Sequence, residues 1–372
     1  MRRLVVSLLG LAASAGSALG WSAHGHRTIT YLALEGLPGD MPAFVRDPSF
    51  RARIADNANE PDRWRGMQIA TLGHENGPDH YIDLEDLAHF GLTLETVSPF
   101  RNEFIRDMSV AAYVHPENIQ PVDPSKDTEK TAQWPGFLPH AIQEHYNKLR
   151  ISFNTYRILV SLNDPARADQ LATARENCIY EMGILSHFVG DASQPLHTTT
   201  HHHGWIGDNP KGYTTDRGIH SYIDGTVVDL HHITVDSLRP LMTYDVKINA
   251  QDPWQDMITY IRRSHDHVEP LYRLEKDKAL TKDEGKKFIE ERLTDAAATL
   301  SALYAAAWSG SEPSERDVQA WVRYNNFKPD LLPRYAPGSA ADADGSGGAD
   351  GSGGARRTPP ATAPTPAPPP PR

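Results

Sequence analysis

Residues 186 to 197 read SHFVGDASQPLH. His187 and Asp191 stand four apart, so on a helix they share one face and can converge on one point. A Gly-Asp corner follows, and Pro195 turns the chain just before His197. The stretch leading into it, 165 to 190, repeats apolar residues at three and four spacings, which predicts a helix. Outward from there the same period recurs near 22 to 36, 139 to 162, 253 to 272, 282 to 308 and 314 to 326. In the fifth of these six segments Phe288, Leu293, Ala296, Leu300 and Leu303 form a stripe among Lys and Glu. No convincing run of alternating strand pattern is present, so the predicted fold is an all-α bundle. Long loops near 86 to 138 and 198 to 219 exceed usual bundle connections, which points to function or insertion.

The chain has 372 residues, 39% hydrophobic and 23% charged, which excludes a wholly disordered protein. A formal charge of −11 leaves no net basic field to draw it onto nucleic acid, so any polyanionic substrate needs local positive charge. Cys178 is the single cysteine, and no intramolecular disulfide is possible. Residues 1 to 20 begin Met-Arg-Arg, continue in an apolar run and end in small residues, the pattern of a secretory signal peptide cleaved before Trp21. The expectation is a soluble protein without a membrane anchor, secreted or periplasmic. From 337 to 372 the text turns to Gly, Ser, Ala and Pro, which predicts a disordered tail. One folded domain, 21 to 336, remains between them.

Eighteen histidines direct attention to imidazole and carboxylate as metal ligands, a set that suits zinc. His220 and Asp224 in HSYID repeat the four-residue spacing of His187 and Asp191. If the leader is removed, the mature chain starts Trp-Ser-Ala-His-Gly-His and offers a free amine and a carbonyl at Trp21.

In chain order the pieces WSAHGHR at the mature start, EPDRWR at 60 to 65, DHYIDLED at 79 to 86, SHFVGDASQPLH and GIHSYID at 218 to 224 resemble the S1/P1-type zinc-dependent single-strand-specific nucleases, which share a fold with bacterial zinc-dependent phospholipases C. The resemblance implies an all-α domain with three Zn2+ ions in one cleft. One ion would take Asp62, His80, His187 and Asp191, with Asp56 and Glu60 close enough to compete with Asp62. A second would take His197, His220 and Asp224. The third would take the amine and carbonyl of Trp21, His26 and a shared oxygen of Asp191, with His24 a competitor for His26.

Three zincs and three aspartates leave a positive site inside an acidic protein. A zinc-held water, its pKa lowered toward about 7, would supply the hydroxide that attacks phosphorus. Arg65 matches an arginine that reaches the phosphate, where its planar fork suits the developing charge. Tyr81 and Asp83 match an aromatic that stacks a base and an acid that binds its edge; core packing for Tyr81 and support of a ligand histidine for Asp83 remain open. The implied activity is hydrolysis of single-stranded DNA and RNA to 5′-nucleotides, a phosphodiesterase and endonuclease reaction. Phospholipase C activity on the same scaffold and a non-catalytic exported zinc-binding protein are the alternatives. His201, His202 and His203 are expected on the surface, Cys178 is expected in the core, and the segment from Leu87 to Trp134 matches nothing in the family.

Overall fold

In the computed structural model, which describes residues 21–325, helices carry the chain. They are α1 (Ala23–Glu35), α2 (Pro48–Asn57), α3 (Glu60–Gly66), α4 (Ala70–Asn76), α5 (Arg101–Val114), α6 (Leu138–Leu162), α7 (Ala168–Ser193), the short α8 (Ile219–Ser221), α9 (Val228–Leu230) and α10 (Val235–Leu238), then α11 (Trp254–His265), α12 (Val268–Lys276), α13 (Asp283–Ser309) and α14 (Glu315–Tyr324). Among the described residues there is no strand; isolated bridges join Ile82 to Gly136 and His202 to Gly204. The expected all-α class holds. The predicted leader 1–20 and tail 337–372 lie outside the described residues. No described helix is long and apolar enough to cross a membrane. The chain divides at Pro313, and α14, capped reciprocally by Ser314 and Asp317, begins a second unit.

Within the first unit α7 packs on α6, α2, α13 and α1, and α1 also lies on α13. From Met182 to Ser193 every residue of α7 is buried. A helix enclosed on all sides must satisfy its polar groups inside the protein. Ser186 Oγ lies 2.6 Å from Thr30 Oγ1, and Ser193 Oγ accepts from the Trp21 indole at 2.8 Å. His187 and Asp191 are the other polar residues of that stretch, and they face α1. Two glycines permit the close packing. A Cβ on Gly183 would stand 2.3 Å from Asn57 Cβ, and one on Gly190 would stand 2.8 Å from His26 Nδ1. α2 and the His26 ring therefore approach α7 at backbone distance.

The structure adds helices that periodicity does not reveal. α5 lies inside the expected 86 to 138 loop and buries only Phe104 and Met108, too narrow a stripe to register. α2, α3 and α4 are short, and the predicted 253 to 272 helix is broken at Asp266 and His267 into α11 and α12.

Candidate metal centre

Asp191 is fully buried on α7, and four histidines gather on it, with His197 Nδ1 3.7 Å from its Oδ2. His80 Nδ1 lies 2.9 Å and His187 Nε2 3.1 Å from its Oδ2, while His26 Nε2 lies 3.4 Å from its Oδ1. Asp62 Oδ1 stands 3.9 Å from both His80 Nδ1 and His187 Nε2. The rings of His26 and His187 stack at 4.2 Å. Ligand atoms of His26, Asp62 and His187, and again of His80, His187 and Asp191, fall within 4.8 Å of one another, a spacing that could hold a metal ion. His197, His220 and Asp224 form no such group among the described residues, although their side chains adjoin. The rings of His197 and His220 meet edge to face at 4.9 Å, and His220 Nε2 is 3.1 Å from Asp224 Oδ2.

Local structure explains how each side chain arrives. His26 sits one turn into α1. Asp62 lies in the first turn of α3, after Pro61. A 3-10 turn over Gly77–His80 delivers His80. His197 ends a second 3-10 turn begun by Pro195 and capped by Gln194, whose Oε1 accepts from Leu196 N–H at 3.0 Å. His220 and Asp224 share a helical stretch whose central part, Tyr222–Val227, is a π turn, a form often found at functional sites. Residues 81 to 84 form an extended strip. Ile82 N–H donates to the His197 carbonyl at 2.9 Å and Leu84 N–H to that of Thr198 at 3.2 Å, while Asp83 N–H donates to Pro135 at 2.6 Å.

The hydrogen-bond partners orient the donor atoms. His187 Nδ1 donates to the Ala58 carbonyl at 2.8 Å, which turns Nε2 toward Asp191. His197 Nδ1 donates to the His80 carbonyl, and Gln194 Nε2 donates to Asp224 Oδ1. What these bonds leave over is a set of buried atoms with no hydrogen-bond partner: both ring nitrogens of His26 and of His220, Nε2 of His80 and His197, and oxygens of Asp62, Asp191 and Asp224. Each such buried group costs about 1–3 kcal/mol unless something satisfies it. Imidazole and carboxylate atoms orphaned together are the donor set of a zinc-type ion.

Protonation follows the same logic. Burial pulls His80 down to about 4 and also lowers His26 and His197. His220 falls well below its ordinary value, through burial and then its histidine neighbours. These rings are held neutral, the form that ligates. Burial opposes charge on His187 too, but Asp191 and Asp62 outweigh it and raise the ring to about 9. Asp191 is held well below the carboxylate range despite burial, because His187 and His197 face it. Burial lifts Asp224 well above that range.

The cluster opens into a cleft of about 360 Å³ lined by His197, His220, Arg65, Tyr81 and Asp83, together with Trp134. Asp83 is buried with Oδ1 unpartnered, and Tyr81 is half-buried along the same wall. Competing candidates are engaged elsewhere. Asp56 pairs with Arg27 and Arg63, Glu60 pairs with Arg63, and His24 Nε2 meets the Ile233 carbonyl at 2.8 Å. Trp21 is fully buried at the head of α1, its indole on Ser193, and Ser22 N–H donates to the Asp224 carbonyl at 3.3 Å.

His201, His202 and His203 are all half-buried and join no metal-spaced group among the described residues; His202 and His203 line the cleft, and His201 stacks on Trp205 at 3.9 Å. His202 Nδ1 lies 3.7 Å from Asp83 Oδ1. Three adjacent histidines on a loop give no sequence period from which this could be read. Cys178 is buried in the core, as expected. The chain matches no known protein-family model and no curated protein.

Proposed function

We propose that this chain is a zinc-dependent phosphodiesterase of the S1/P1 nuclease type, acting on single-stranded nucleic acid. The observation that carries the reading is the buried, hydrogen-bond-orphaned His/Asp cluster that opens into a cleft shared with Arg65, Tyr81 and Asp83. The resemblance implies three ions: Asp62, His80, His187 and Asp191 would hold one, His197, His220 and Asp224 another, and His26, Asp191 and the Trp21 amine and carbonyl the third; the close spacing of His26, Asp62, His80, His187 and Asp191 supports metal binding at that part of the cluster. Zinc, when bound, supplies Lewis acidity toward a phosphate oxygen and lowers the pKa of a ligated water.

The chain's own groups do the rest. Arg65 offers a planar fork to the phosphate oxygens. Tyr81 provides a face for an unpaired base, which selects single strands without reading sequence. Asp83, acceptor-only when ionised, takes N–H donors from the base edge. Ala58 holds the His187 ring with Nε2 toward Asp191 and His80, and Gln194 holds Asp224 by Oδ1 and leaves Oδ2 without a hydrogen-bond partner. Export with removal of residues 1 to 20 belongs to the same reading, because it frees the Trp21 amine.

The test is release of acid-soluble nucleotides from single-stranded DNA by protein whose first residue is Trp21, before and after chelation and zinc restoration. Zinc-dependent release supports the reading. Release of a choline phosphodiester head group alone transfers it to phospholipase C. Zinc binding with hydrolysis of neither leaves a zinc-binding protein.

A further inference from the structure

Next to the metal cleft lies a second chamber of about 370 Å³. The two share Asp86, Ala132 and Trp134, so Trp134 stands on the wall between them. Much of the chamber is built by the 87 to 134 segment that matches nothing in the resembled family. Its walls are apolar: Phe90, Ile119, Val122 and Ile206 join Trp134. Its charged groups are Asp86, Asp123 and Asp127, with Lys126 paired to Asp123 at 3.4 Å and His89 lying 3.8 Å from Asp86, and the amides of Gln120 and Gln133 offer both donors and acceptors. No arginine lines it.

This lining decides the ligand. A phosphate would meet three carboxylates, with Lys126 and His89 already beside two of them, and is disfavoured on charge. A flat, uncharged ring with N–H donors on its edge fits: apolar faces to cover it, an indole to stack on and carboxylates to accept from it. Continuity with the cleft through Trp134 names where such a ring comes from. We propose that the chamber receives the second base of the substrate, so that a dinucleotide straddles Trp134 with one base on each side and its phosphate at Arg65 and the metal centre. The proposal rests on the nuclease reading above.

The experiment compares the zinc-loaded protein on a DNA dinucleotide and on a nucleoside methyl phosphodiester, which carries one base. The wild type is expected to favour the dinucleotide by about tenfold or more in kcat/KM, the worth of one stacked base. Ile206→Glu, at a half-exposed position of the chamber alone, and Ile119→Ala should each bring the dinucleotide down toward the one-base value. Isothermal titration of a non-hydrolysable dinucleoside phosphorothioate should show the same loss in affinity. Equal wild-type rates on the two diesters, or variants that keep the full preference, overturn the second-base site while leaving the nuclease reading intact. Hydrolysis of neither nucleic acid nor dinucleotide, or of choline phosphodiesters only, overturns both.

Discussion

Gln194 donates its side-chain amide to Oδ1 of Asp224 and holds its own oxygen on the Leu196 N–H. The buried amide is fixed at both ends, so it aims the other Asp224 oxygen, which has no hydrogen-bond partner. Gln194→Ala is expected to weaken the ion at His197, His220 and Asp224 by about 10–100-fold, as loss of a ligand's hydrogen-bond partner does at other metal sites. Competition against a chelator of known affinity measures it. Unchanged affinity would remove Asp224 from the ligand set.

Asp191 stands in one tight group with His80 and His187 and reaches the other through His26, 3.4 Å from its Oδ1. Asp191→Asn should release more than one ion and nearly all activity. Metal content per chain gives one check and thermal unfolding another, since zinc at 100 times its dissociation constant stabilises the wild type by about 2.7 kcal/mol and should do little for the variant. A fully metallated, active Asp191→Asn protein would refute the assignment.

Retention of any residue ahead of Trp21 blocks the terminal amine. Such a protein is expected to bind less zinc and to turn over more slowly than one that starts at Trp21. The same stoichiometry and rate in both forms would show that the amine is no ligand.

Tyr81→Ala should weaken single-strand binding by roughly 1–3 kcal/mol while leaving metal content unchanged. An unaltered Michaelis constant would return Tyr81 to a packing role.

His140 lies away from the centre, stacked on Phe104 at 5.3 Å and beside Trp254, with Nε2 donating to the Ser98 carbonyl at 2.9 Å. Burial, and to a lesser degree Arg101, brings the ring down to about 4. The unfolded chain takes up this proton near 6.5 and the folded one does not, so stability is full above pH 6.5 and is lost as pH falls toward 4. The loss amounts to roughly 3 kcal/mol at most. Urea unfolding of wild type and His140→Phe across that window should show a smaller acid loss in the variant. Parallel curves would mean that the ring titrates normally.

The long helices were legible because each presents a broad apolar face: α6, α7 and α13 follow the periodicity closely. α5 was not, because Phe104 and Met108 are its only buried residues and Tyr113 stands 88% exposed. At the centre, the four-residue spacings named His187 with Asp191 and His220 with Asp224 directly. Asp62, His80 and His26 came only through resemblance, since a ligand on a turn or a different helix leaves no period in the text. His202 and His203 escaped both routes: their place in the cleft is set by a loop whose path depends on packing against Asp83 and Tyr81.

The strip from Tyr81 to Leu84 follows His80 directly, is bonded along one side to His197 and Thr198, and carries Tyr81 and Asp83 into the cleft. On the proposed reading a single piece of backbone would serve both the metal and the nucleic acid. Ordering it costs conformational entropy once, and whichever partner binds first bears that cost for the other. If the chain binds both, thermodynamic reciprocity requires the metal to raise affinity for nucleotide by the same factor as nucleotide raises affinity for metal, even where the two make no contact.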